Sequence, residues 1–123
     1  MVEVTSEFIK LMISGKVHEI KISEIVDIYH ISFGDSPKLL KDPFLVLIYQ
    51  NGYLLLNNSI TQEIMPALEK GQIPMKKLYH NRSPFGWRGF PFFVNSIKTR
   101  VFTGQKGRKR LAVFIKKCQP LKK

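Results

Sequence analysis

The chain has 123 residues, the size of one domain, and 44% of them are hydrophobic, which is enough for one packed core. Its net charge of +11 is unevenly distributed: all nine acidic residues precede Lys70, whereas residues 70–123 hold ten lysines, all five arginines and no acidic residue. This composition excludes a wholly disordered chain. The single cysteine, Cys118, excludes an intrachain disulfide and favours a reducing cytoplasm.

The first part of the chain predicts short elements separated by turns. Residues 6–15 are expected to form a helix, because the apolar residues between Ser6 and Gly15 recur at helical spacing. Alternating apolar and polar residues at 17–22 predict a strand. Ser23, followed by acidic residues, predicts the start of a second short helix.

A β-hairpin is the clearest local feature. Two strongly apolar runs, residues 44–49 and 53–56, flank the sequence Gln50-Asn51-Gly52, and Asn-Gly is the pair that tight hairpin turns prefer. Because both runs are almost continuously apolar, we expect the sheet that contains them to be covered on both faces.

A helix and a strand are predicted after the hairpin. Ser59 and Gln62 form a capping-box pattern that opens a helix ending at Gly71. Pro66 lies inside this helix and is expected to kink or split it. Residues 73–79 predict the strand that follows.

The sequence changes character after residue 80, because residues 81–91 contain two glycines and two prolines. This segment divides the chain into an α+β core, residues 1–79, and a basic, aromatic-rich β extension, residues 80–123, packed on the same domain. The extension is predicted to form strands at residues 92–97, 100–103 and 110–117.

The last two of these strands are expected to form a hairpin with a basic tip at residues 104–110. The predicted fold is therefore α+β, with a small mixed sheet, short helices and a C-terminal basic β-hairpin.

Residues 17–79 resemble, in the order and spacing of their elements, the N-terminal core of the ParB/sulfiredoxin superfamily. Residues 19–25 are similar to its opening strand and turn, and residues 44–58 are similar to its central hairpin. Residues 59–75 are similar to its helix, closing glycine and following strand. The resemblance implies a ParB-like core with phosphate contacts where the hairpin meets the helix.

The sequence departs from this family at the same junction. The family carries Gly-x-x-Arg or Gly-x-His-Arg there, whereas this chain reads Asn58-Ser59-Ile60-Thr61. A sulfiredoxin-type reductase also needs a cysteine at that place, and Cys118 lies far downstream. Nucleotide hydrolysis, nuclease activity and reductase activity therefore do not follow from the resemblance.

Catalytic and metal-binding patterns are weak. His18, His30 and His80 lie far apart without the spacing of metal ligands, so we predict no metal and no cofactor. Cys118 follows two lysines, whose charges would favour its thiolate, and the alternative is a buried, unreactive cysteine.

Nucleic acid is the partner that the charge distribution favours, because lysine and arginine neutralise phosphates and release condensed counterions. Basic residues interleaved with aromatic ones can also stack on bases. The predicted nucleic-acid-binding residues are Arg82, Trp87, Arg88, Arg100, Lys106, Arg108, Lys109, Arg110, Lys116 and Lys117. Asn58 and Ser59 are candidates for holding a phosphate at a helix N-terminus, and the alternative is an ordinary helix cap.

We therefore expect a nucleic-acid-binding protein that prefers DNA to RNA, uses a basic C-terminal β-ribbon and acts as a non-catalytic accessory or regulatory factor. Two alternatives stay open: a diverged ParB-like nuclease or nucleotide hydrolase, and an interaction module that docks on an acidic protein. No membrane partner is expected, and a homodimer is left open.

Overall fold

A computed structural model of the chain describes residues 2–13, 15–34, 41–50, 52–80, 100–103 and 108–120. The strands are β1 (Val2–Val4), β2 (Phe8–Ile13), β3 (Lys16–Lys21), β4 (Ile25–Phe33), β5 (Lys41–Tyr49), β6 (Gly52–Leu56), β7 (Lys76–His80), β8 (Arg100–Thr103) and β9 (Gln119–Pro120). The helices are α1 (Asn58–Lys70) and α2 (Arg108–Lys117), and a 3-10 turn spans Ile22–Glu24. The predicted α+β class is confirmed.

The described strands form two sheets. The larger one has six strands in the order β8-β6-β5-β4-β7-β9, and all its neighbours are antiparallel except β4 and β7. Parallel strands need a crossover connection, and α1 lies in the crossover that leads from the β5–β6 hairpin to β7. The smaller sheet is the antiparallel β1-β2-β3.

The hydrophobic core lies on both faces of the six-stranded sheet. On one face, which we call the first face, side chains of the central strands pack with the small sheet and α1. On the other, the second face, they pack with α2. Successive residues of β6 alternate between the two: Leu54 and Leu56 belong to the first face, Tyr53 and Leu55 to the second. The hairpin and its cover on both faces are thus confirmed, with Leu47 opposite Leu54.

The two short helices predicted near the N-terminus are wrong. Residues 8–13 form β2 because Ile9, Leu11 and Ile13 are buried at every second position, which is the period of a strand. Gly15 has a φ of 80° and makes the tight turn to β3 instead of ending a helix. After the 3-10 turn, a β-branched run begins the nine-residue strand β4, which packs between β5 and β7.

The helix after the hairpin is confirmed, with two corrections. Its N-cap is Asn57, whose Oδ1 accepts a hydrogen bond from the Ile60 amide at 3.0 Å, and Ser59 lies inside the helix. Pro66 neither splits nor ends the helix. Proline removes the donor that would bond to the Gln62 carbonyl, and both residues are exposed, so water can satisfy that carbonyl.

The predicted C-terminal β-hairpin is also wrong, although β8 has the predicted bounds. Residues 108–117 form α2, and the predicted strand at 92–97 lies outside the described residues. The burial pattern shows why: Leu111 and Phe114 are buried while Val113 is 49% exposed, which is the spacing of a helix and not of a strand. The C-terminal segment also contributes β8 and β9 to the large sheet, so it is part of the same core.

Phe114 and Val113 give a matched test of the helix. Phe114 is fully buried on the second face, so Phe114→Ala should lower the free energy of unfolding by about 3–5 kcal/mol. Val113→Ala should change it by less than about 0.5 kcal/mol, because the side chain is half exposed on the helix. Urea denaturation of both variants measures this difference. Equal losses, or a larger loss for Val113, would contradict the helix.

Candidate nucleic-acid interface

Helix α2 crosses the second face from one edge of the described sheet to the other. It follows β8, at one edge, and precedes β9, at the opposite edge. Phe114 anchors it there, with ring-centroid distances of 6.2 Å to Phe33, 6.5 Å to Phe44 and 5.3 Å to His80, which stacks on it. The orientation of α2 is therefore fixed by the core.

The side of α2 that faces away from the sheet is basic with an apolar centre. Where the structure describes the side chains of α2, the exposed residues are Lys109, Ala112, Val113, Lys116 and Lys117, and we call this set the α2 face. Lys109 and Lys116 are seven residues apart, so they lie on one side of the helix with about 10 Å between them along its axis. Ala112 and Val113 lie between them.

The separation of charge along the sequence becomes a separation of charge between layers. Helix α2 contains five basic residues and no acidic one. Six of the nine acidic residues belong to α1 or to the small sheet and its adjoining turns: Glu3, Glu7, Glu19, Glu24, Glu63 and Glu69. The layer on the second face thus carries only positive charge among the described residues.

The structure gathers five of the predicted nucleic-acid-binding residues on one element. Arg108, Lys109, Arg110, Lys116 and Lys117 all belong to α2, and Arg100 begins the edge strand β8. Arg108 is half-buried beside Tyr53. Burial raises the pKa of Tyr53, and the positive charge of Arg108 partly offsets this rise. The remaining predicted residues, Arg82, Trp87, Arg88 and Lys106, lie outside the described residues.

Asn58 and Ser59 are the first two residues of α1, at a junction whose polar groups bond within the protein. The Asn57 side chain caps the helix, and Asn58 Oδ1 accepts a 2.8 Å hydrogen bond from Gln62 Nε2. Thr61 Oγ1 donates to the Leu56 carbonyl at 3.1 Å. These bonds fit the alternative of a helix cap, and phosphate binding at this junction stays a prediction.

Cys118 lies at the end of α2 in a half-buried position. Burial raises the pKa of its thiol to about 12, and Sγ donates a 3.4 Å hydrogen bond to the Phe114 carbonyl. Burial thus disfavours the charged thiolate, although two lysines precede Cys118 in the sequence. This is the unreactive alternative.

No group of three or more His, Cys, Asp or Glu residues in the described ranges could hold a metal ion. His30 points toward the first face of β4, and its buried Nδ1 makes no hydrogen bond to the part of the chain that the structure describes. Burial is the main cause of the lowered pKa of His30, because it disfavours the charged form of the ring.

A small polar cluster lies at the β4–β7 pair and was not predicted from the sequence. Lys76 Nζ lies 3.3 Å from Asp27 Oδ1 and 5.5 Å from the centroid of the Tyr29 ring. The hydrogen bond with Asp27 raises the pKa of Lys76, and burial is the main cause of the raised pKa of Tyr29. Tyr29 and Lys76 meet because β4 and β7 are parallel neighbours, a register that neither segment indicates alone.

Three clefts in the described residues adjoin Ile22. One of about 230 Å³ is lined mainly by apolar residues between the start of β4 and the α1–β7 loop. A second, of about 680 Å³, includes Thr5, Ser6 and Lys70. A third, of about 470 Å³, lies beside β2 and β3 and includes Glu7 and Glu19. Asn58 lines none of these three clefts.

Comparison with protein-family models, characterised proteins and solved structures finds no match for this chain. The resemblance to the ParB/sulfiredoxin core stays a prediction. In the described residues, neither helix is long and apolar enough to cross a membrane.

The raised pKa of Cys118 gives a prediction about its reactivity. A thiol reacts with maleimide or iodoacetamide as the thiolate. The labelling rate of the folded protein should therefore stay low even when the pH rises above the ordinary thiol pKa of about 8.5. In urea the same cysteine should react at the rate of a free thiol, because unfolding removes the desolvation. The measurement is the labelling rate against pH with and without urea. Fast labelling of the folded protein at neutral pH would contradict the buried position.

Proposed function

We propose that this protein binds nucleic acid, with preference for DNA, and that the α2 face makes contacts to phosphates. The observation that carries this proposal is the uniform positive charge of a helix whose apolar side is buried in the core. Lys109 and Lys116 are exposed and are not needed for packing, so they can neutralise phosphates without cost to the fold. The binding element is thus a helix and not the β-ribbon expected from the sequence.

An anionic membrane suits this helix less well. A helix that binds a bilayer surface inserts its apolar side, and the apolar side of α2, with Leu111 and Phe114, is already buried against the sheet. Insertion would require α2 to leave the core.

We further propose that the protein acts by binding, as an accessory or regulatory factor, since α2 contributes basic groups and no acidic one to the α2 face. A cytoplasmic location is proposed because the single cysteine suits a reducing compartment. The ParB-like hydrolase alternative finds no support in the junction at Asn58, where the side chains cap a helix.

A pair of double variants tests the α2 face against net charge alone. Lys109→Glu/Lys116→Glu should weaken binding to a short DNA duplex and reduce the slope of log K against log salt by at least about two units. Lys16→Glu/Lys21→Glu changes the net charge equally on exposed residues of β3, at the small sheet, and should change affinity little. The measurement is fluorescence anisotropy at several salt concentrations, beside a melting curve for each variant.

Equal weakening by both double variants would show that only net charge matters, and unchanged binding by the α2 variant would exclude the α2 face. The acidic-protein alternative predicts a third result. In that case polyglutamate would bind at least as well as DNA at the same salt, and both ligands would need Lys109 and Lys116.

A further inference from the structure

We infer that α2 binds in the major groove of duplex DNA, with Ala112 and Val113 against the base edges and Lys109 and Lys116 on phosphates beside the groove. This inference rests on the proposed function and specifies the ligand of the same surface. It is carried by the shape of the helix and by the order of residues on the α2 face.

The dimensions of α2 suit the groove. Its ten residues make a helix about 15 Å long, and a helix with side chains is about 10–12 Å across. The major groove of B-form DNA is about 12 Å wide and admits an α-helix. Because the opposite side of α2 rests on the sheet, the α2 face is the side that would enter.

Along its axis, the α2 face carries a lysine at each end and two aliphatic residues between them. Lysine side chains at the two ends, about 10 Å apart, can each reach a phosphate. The centre holds Ala112 and Val113, which have no hydrogen-bonding groups. Aliphatic side chains contact the thymine methyl group, the one apolar feature of the major groove.

This arrangement predicts that the protein selects its duplex by groove shape and by thymine methyl groups. It does not predict recognition of individual bases through hydrogen bonds. A-form RNA duplexes have a deep, narrow major groove that side chains cannot read, so α2 could reach only their phosphates. Single strands offer phosphates but no groove. Affinity should therefore be higher for duplex DNA than for duplex RNA. Among DNA duplexes, it should be higher when the thymine methyl groups are present.

Three duplexes test the inference directly: DNA of alternating A·T pairs, the same DNA with uracil in place of thymine, and RNA of alternating A·U pairs. Removing the methyl groups should weaken binding of the unaltered protein about fourfold, the effect of one buried methyl group. Val113→Ala should abolish most of this difference. Val17→Ala, at a valine that is 52% exposed on β3, should retain it. The RNA duplex should bind more weakly than either DNA.

The outcomes separate this inference from the proposed function. Equal affinity for thymine and uracil DNA, with binding still dependent on Lys109 and Lys116, would overturn the groove placement and leave phosphate binding by the α2 face intact. A methyl effect that Val113→Ala does not change would place the base contact elsewhere and also overturn the inference. No binding to any of the three duplexes at low salt would refute both proposals.

Discussion

The burial of the β5–β6 hairpin on both faces is the constraint on which the rest of the structure depends. All five residues of β6 are buried, and successive residues project to opposite sides of the sheet. An apolar strand of this kind cannot leave either face in water, so the chain must supply two covering layers. It supplies the small sheet and α1 for the first face and α2 for the second.

The distribution of charge between the two layers depends on which part of the chain forms each layer. The acidic N-terminal part covers the first face and the basic C-terminal part covers the second, so a division along the sequence becomes a division in space. Helix α2 packs through its apolar residues, Leu111, Phe114 and Ile115, because burying an unpaired lysine would cost more than packing gains. The same packing that completes the core therefore directs Lys109 and Lys116 outward.

Sequence patterns predicted the elements whose signals are local. The hairpin could be identified because Asn51-Gly52 lies between two apolar runs, and α1 because apolar residues recur at helical spacing before a closing glycine. The errors arose in short segments whose apolar residues fit both the 3.6-residue period of a helix and the two-residue period of a strand. In residues 8–13 the apolar residues fit a helix and a strand alike, and pairing of Ile9 with Ile20 across β2 and β3 decides for the strand.

For residues 110–117 the error was the reverse, because a strand was predicted and the segment forms most of helix α2. Leu111, Val113 and Ile115 alternate as in a strand, whereas Leu111, Phe114 and Ile115 lie on one side of a helix. The second face has room for a layer that crosses from β8 to β9, and a helix satisfies its own backbone hydrogen bonds while doing so. The sequence therefore predicted which residues carry the positive charge but not the element that presents them, because the sheet order that decides it is a long-range property.

A helix that belongs to the core presents charge differently from a hairpin tip. The glycine-flanked tip expected from the sequence would adapt to many shapes of polyanion, and ordering it on binding would reduce affinity. In α2 the backbone of Lys109 and Lys116 is held by the packing of Phe114 against Phe33, Phe44 and His80. A fixed helix loses less entropy on binding but fits fewer shapes, so groove width as well as charge would decide which polyanion fits the α2 face.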